Sequence, residues 1–216
     1  MVKRPLILLF VCFFCLPAHA NAKVYRQGDP AVKKIAITVD DCTKPGILTE
    51  MLDLFSEHEI RVTFFVLGNA LRLSDREIWQ RAVADGHEIG NHTFGHASLN
   101  VIDGPAVQSQ LRRAENAFNE TLGYPYNMQV MRPPYGRCRE NGALTRIQNA
   151  GYQHVILWTV AQTDPQKALK AISNGSICLF HTNAKDLLCL QEIIPVLKAE
   201  GYEMVTVSDL LGITER

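Results

Sequence analysis

After its first twenty residues the chain has no Cys-x-x-Cys pair and no long apolar stretch, and it has no glycine-rich loop behind its first strand-like run and no excess of charge of either sign. Each absence removes a class. Without Cys-x-x-Cys spacing a zinc ribbon is excluded. Without the glycine-rich turn, the nucleotide-binding form of an open α/β sheet lacks its phosphate cradle. With 22 basic and 22 acidic residues there is no electrostatic footprint for nucleic acid. No later segment is long and apolar enough to span a bilayer.

The apolar run at the start is short. Met1 to Arg4 carry two cations, "PLILLFVCFFCLP" follows, and "AHA" at Ala18 to Ala20 is a small-residue cleavage site, the layout of a secretory signal. Cleavage is expected after Ala20, with "ANA" ending at Ala22 as the alternative and an uncleaved anchor as the competing reading. A secreted or periplasmic chain of about 196 residues then remains, sized for a single domain with a full core. Losing Lys3 and Arg4 leaves 20 basic residues against 22 acidic ones, so nucleic acid is not expected as a partner, and neither is stable membrane insertion. Cys12 and Cys15 leave with the signal. Cys42, Cys138, Cys178 and Cys189 could form two disulfides in three connectivities. A Cys42–Cys138 bridge is the expected one, since each follows a motif described below; four buried free thiols are the alternative.

From Lys33 onward, strand-like and helix-like segments take turns. "KKIAITV", "RVTFFVLG", "HEIGNHT", "MQVMRPPYG", "HVILWTV", "SICLFHTN" and "YEMVTVSDLL" read as seven strands. Between them lie six amphipathic helices, among them "GILTEMLDLFSEHEI", "REIWQRAVADG" ending at glycine and "PAVQSQLRRAENAFNETLG" opening on proline. Such alternation implies parallel strands with helical crossovers, in an open sheet or a closed barrel. Functional residues then belong at the C-terminal strand ends. Those ends carry Asp40 and Asp41, His92 and His96, Arg132 and Tyr135, Trp158 and Asp164, and His181.

His92 and His96 are four apart, so on one helical turn both imidazoles would face a common point. With Asp41 they make a two-histidine, one-carboxylate set that suits zinc, and equally iron, cobalt, nickel or manganese. Asp40, on the opposite face of the strand, is then free to take a proton from water that a metal has acidified to a pKa of about 7. The competing reading of "DD" is a strand-end turn in which one acid caps a helix.

The ordered set "TVDD" (Thr38 to Asp41), "HTFGH" (His92 to His96), "RPPYG" (Arg132 to Gly136) and "LFH" (Leu179 to His181), with "GHEIGNHT" at Gly86 to Thr93, resembles the polysaccharide deacetylases of carbohydrate esterase family 4. The resemblance runs from about Lys33 to Leu211. It implies an α/β fold, a distorted (β/α) barrel of about seven parallel strands forming a single domain over residues 33–216, with residues 21–32 as an N-terminal extension. It implies Asp40 as general base, Asp41, His92 and His96 as ligands of a divalent metal, and His181 as general acid. Arg132 would hold the base, the Tyr135 N–H would stabilise the oxyanion, Leu179 would line the pocket of the acetyl methyl, and Pro134 and Tyr135 would also contact the substrate. The implied reaction is removal of N-acetyl groups from an acetylated amino-sugar polymer of peptidoglycan or chitin type.

Three positions depart from the family's pattern. Cys42 stands where glycine is usual, and alignment on Asp164 puts Ala161 and Pro165 where an acid and a tryptophan are expected. That acid ordinarily orients the catalytic histidine, so another carboxylate must support His181 or the acid step is altered. An O-acetyl esterase, whose leaving alcohol needs less protonation, and a catalytically silent carbohydrate-binding protein are the alternatives. His58, His87 and His154 are read as structural.

Overall fold

The computed structural model describes residues 21–214, so the signal-peptide reading of residues 1–20 lies outside the described residues. Strand β1 is Lys23–Tyr25 and β2 is Lys34–Asp41; helix α1 (Pro45–Glu57), β3 (Thr63–Val66), α2 (Arg76–Ala84) and β4 (Glu88–Asn91) follow. Then come α3 (Gly104–Leu122), β5 (Val130–Met131), α4 (Ala143–Asn149), β6 (His154–Ile156), α5 (Pro165–Ala171), β7 (Ile177–His181), α6 (Ala184–Ala199), β8 (Glu203–Met204) and α7 (Val207–Leu211). Among the described residues, no helix is long and apolar enough to cross a membrane.

All strand pairings are parallel, in the order β1-β6-β5-β4-β3-β2-β7, with β8 beside β2. The sheet curls until its flanks meet. Val160, just past β6, bridges Cys178 on β7, and Gln27, just past β1, bridges Ser176. A distorted (β/α) barrel results, as expected.

Two elements differ from the sequence reading. Residues of the N-terminal extension form β1, in register with His154 to Ile156. The segment "YEMVTVSDLL" is strand only at Glu203–Met204; Thr206 Oγ1 then accepts from Asp209 N at 3.1 Å and starts α7.

Both faces of the strands are buried, which is why they read as continuous apolar runs. Ile35, Ile37, Val39, Phe64, Val66, Ile89, Met131, Val155 and Phe180 point outward, into one cluster with α1 and α6 residues such as Met51, Phe55, Leu190 and Ile194. The alternate residues Ala36, Phe65, Val130, Ile156 and Ile177 fill the barrel with Val207 of α7. Gly90 makes room for them: a Cβ there would stand 2.6 Å from the Phe65 ring. The bottom is closed by α7, where Val207 N donates to Thr63 Oγ1 at 2.8 Å and Ser208 donates to Glu88 through both its amide and its hydroxyl.

The inward face changes character along each strand. Two residues beyond Ala36 and Val130 lie Thr38 and Arg132; four beyond Ala36 and Ile177 lie Asp40 and His181. The interior is apolar at mid-height and polar at the C-terminal rim.

Candidate active site

Strand register brings the rim together. Thr38 pairs with Leu179 and Asp40 with His181 across β2 and β7, so these four side chains share the inward face. Arg132, fully buried at the end of β5, crosses the barrel to reach them. Its NH1 donates to Asp40 Oδ1 at 2.6 Å and to Thr38 Oγ1 at 2.7 Å, while Nε and NH2 reach the carbonyls of Ile156 and Leu157 at 3.3 Å. The guanidinium also lies 4.2 Å from the Phe65 ring centroid. Burial pulls the Arg132 pKa down and Asp40 pulls it back up.

Beside this pair sit Asp41, His92 and His96. His92 Nε2 is 3.5 Å from Asp41 Oδ1 and 3.8 Å from Asp40 Oδ2; His96 Nε2 is 3.7 Å from Asp41 Oδ1. The His92 Nδ1–H donates to the Arg132 carbonyl at 2.7 Å, which fixes the tautomer and leaves Nε2 with a lone pair toward Asp41. Burial lowers the pKa of His92, keeping it neutral, the form that ligates a metal.

The histidines are not on a helical turn. The chain beyond Asn91 is an irregular loop, with Thr93 at φ 72° and His96 at φ 57°. Asn91 holds it: its Oδ1 accepts from Thr93 N at 2.8 Å, and its Nδ2 donates to Leu111 O and Tyr152 OH at 2.9 and 2.8 Å. Two left-handed residues thus bring imidazoles four apart to one point, as a helical turn would. Asp41, Cys42 and Tyr135 are left-handed too, at φ 65°, 56° and 61°. Non-glycine residues in this region are uncommon, and they gather where function constrains the backbone.

These three residues fit a metal. Their ligand atoms all lie within 4.8 Å of one another. A tetrahedral ion with bonds of about 2.1 Å sets neighbouring ligand atoms about 3.4 Å apart, close to the contacts observed. Asp41 Oδ1 is buried without a hydrogen-bond partner among the described residues, as a carboxylate reserved for a cation would be.

A family model described as polysaccharide deacetylase matches residues 27–171. The chain belongs to the polysaccharide deacetylase family, carbohydrate esterase family 4. It is 30% identical over 195 residues to a peptidoglycan-N-acetylglucosamine deacetylase of Bacillus cereus, covering 83% of this chain and 88% of that one. A Listeria monocytogenes enzyme of the same description is also 30% identical, but the 83% of this chain that aligns spans only 39% of its length. Among solved structures, a Bacillus anthracis pseudoenzyme of the family superposes with a TM-score of 0.78 at 20% identity, covering 88% of this chain and 69% of that one, a likeness of fold alone.

The other expected site residues lie around the same mouth. Tyr135 is exposed, its ring 4.6 Å from that of His96 by centroids; Pro134 is buried, and Leu179 is half-buried. Beside Tyr135 a cavity of about 210 Å³ is lined by Arg26, Gly136, Leu157 and Trp158. Gly136, at φ 66°, lies so close to Trp158 that a Cβ would come within 3.0 Å of the indole. His181 ends β7, beyond the matched residues, with its side chain about half exposed.

Asp164 is elsewhere employed. Its Oδ1 accepts from Lys167 N at 2.9 Å as the cap of α5. The carboxylate near His181 is one that sequence reasoning missed: Asp186, buried in the first turn of α6, with Oδ2 3.7 Å from His181 Nδ1. An asparagine cap three residues before an acid, straight after a strand-end histidine, is the signal that could have found it. The expected Cys42–Cys138 bridge is not formed; Cys42, Cys138, Cys178 and Cys189 are all buried free thiols.

Proposed function

We propose that this chain is an exported, divalent-metal-dependent hydrolase that removes N-acetyl groups from an amino-sugar polymer of the peptidoglycan type. The supporting observation is the adjacency of two differently held carboxylates. Asp41 faces two imidazoles with an unpartnered oxygen, while Asp40 is clamped by Arg132 within 3.8 Å of His92 Nε2. Zinc is the ion we assign, bound by Asp41, His92 and His96. Such an ion supplies polarisation of the acetyl carbonyl and acidification of a water.

The chain's own groups do the rest. Asp40 accepts the proton of the attacking water, with Arg132 fixing the carboxylate's orientation. The Tyr135 N–H donates to the oxygen that gains charge as water adds. His181 gives a proton to the amine nitrogen as the C–N bond breaks and the electron pair returns to nitrogen. Leu179 and Pro134 border the acetyl methyl. The peptidoglycan substrate is taken from the named relatives, and export from the signal-like residues 1–20 together with a substrate outside the membrane.

The test is acetate release from N-acetylated glycan oligomers by the zinc-loaded protein. Turnover should fall by about 100-fold or more in Asp40→Asn, the scale of a lost general base. Acetate release at wild-type rate by Asp40→Asn, or none from wild type with any divalent ion, defeats the proposal.

A further inference from the structure

His181 ends β7, and two residues later the chain turns into α6. The family's usual acid from the segment after β6 is absent here, with Ala161 in its place and Asp164 capping α5. Three carboxylates act on His181: Asp40 and Asp41 from β2, and Asp186 from α6. Asp40 is held by Arg132 and Asp41 faces the other two histidines. Asp186 remains.

Asp186 is 1% exposed, yet its Oδ1 has no hydrogen-bond partner among the described residues. Its Oδ2 accepts from the His181 backbone N–H at 2.6 Å and from Asn183 Nδ2 at 3.0 Å, and stands 3.7 Å from His181 Nδ1. The carboxylate is therefore fixed against the very residue whose ring it faces. A buried carboxylate oxygen left unpaired is unfavourable, and the His181 ring, with Nδ1 3.7 Å from the neighbouring Oδ2, is the ionisable side chain that can supply this carboxylate with a charged donor when it is an imidazolium.

We propose that Asp186 is the positioning residue for the acid step, holding His181 as an imidazolium with Nδ1 toward itself and Nε2 toward the departing amine. This rests on the deacetylase reading above. When the C–N bond breaks, its electron pair stays on nitrogen and the Nε2 proton moves to it. Neutral His181 is left with its Nδ1–H still directed at Asp186. The pKa of His181 is raised, first by Asp186, with Asp40 and Asp41 adding and burial opposing.

Asp186→Asn keeps an acceptor for the backbone N–H and removes the charge. Turnover of an N-acetyl substrate should fall about 10-fold or more with KM changed less than about twofold, while an aryl acetate, whose leaving group needs no proton, should change less than about twofold. The NMR titration midpoint of His181 in the metal-free chain should drop by about one pH unit. In the wild type, the Asp186 carboxyl carbon shift should step at the His181 midpoint, a readout that needs no variant. An unchanged midpoint, a missing step, or amide and ester turnover falling together overturns the proposal. Wild-type protein inactive on every acetyl substrate refutes the deacetylase reading instead, and the two titration readouts then decide the Asp186–His181 contact.

Discussion

Replacing Arg132 by methionine should be the most damaging single change at the rim, and the structure says by how much. The side chain is fully buried and makes four hydrogen bonds, to Asp40, Thr38 and the carbonyls of Ile156 and Leu157. Methionine fills much of the volume but supplies no donor, so Asp40 remains as a buried carboxylate with no cation. Breaking a buried pair this way costs about 3–5 kcal/mol, a large part of the roughly 5–15 kcal/mol that stabilises a domain. Asp40→Asn should be milder, because an amide still accepts from the guanidinium. The double variant should be better than additive by about 2 kcal/mol, since it removes the orphaned charge. The assay is urea unfolding of the four proteins with chelator present, near neutral pH. A cost below about 1 kcal/mol, or strict additivity, would refute the view that one ion pair organises the barrel mouth.

Other perturbations separate structure from chemistry. His87 is buried, and burial lowers its pKa to about 4 from 6.5, with Asp85 opposing. The unfolded chain therefore binds the proton first, and stability should fall as pH drops from about 6.5 to 4, by about 3 kcal/mol; unfolding of His87→Gln at pH 7 and 4.5 should lack this loss. Asp164→Ala should lower stability by about 1 kcal/mol, as a lost helix cap does, and leave acetate release unchanged; a large loss of turnover would return Asp164 to the site. Gly90→Ala should cost about 1–3 kcal/mol, the scale of overpacking, because Phe65 cannot yield within the barrel; differential scanning calorimetry reads it.

Most of the fold was legible because both signals it uses are local. Continuous apolar runs in β2 and β7 and 3.6-period faces in helices such as α1 and α3 identify themselves, and a regular alternation leaves few ways to join them. The parts that were not legible are those whose burial comes from elsewhere. Strand β1 is three residues with partly exposed side chains, and it exists because β6 offers it an edge. The run Val205 to Leu211 is apolar enough to read as strand. It becomes a helix because Thr63 and Glu88 at the barrel floor bind its first amides. Sequence alone could not weigh partners more than a hundred residues away.

The site shows the same division more sharply. Asp40, Asp41, Arg132 and the histidines were legible as types at strand ends, but the conformation that makes them converge was not. A four-residue histidine spacing suggested a helix, whereas the loop reaches the same convergence with left-handed residues at Thr93 and His96. Thr93 is β-branched, the kind of residue least suited to that region, so the turn is not what this sequence prefers locally. It is imposed by the Asn91 hydrogen bonds to Thr93, Leu111 and Tyr152. The network is continued by Tyr152 OH donating to Glu115 at 2.6 Å. The convergence of Asp41, His92 and His96 therefore depends on a tyrosine and an asparagine outside that trio. Tyr152→Phe, which removes only the hydroxyl at the centre of that network, should weaken zinc affinity by about 10-fold, in the range expected for outer partners of ligating histidines. Folding should remain cooperative, and competition with a chromophoric chelator measures the change. Unaltered affinity would mean that the loop holds its left-handed turns without help from the core.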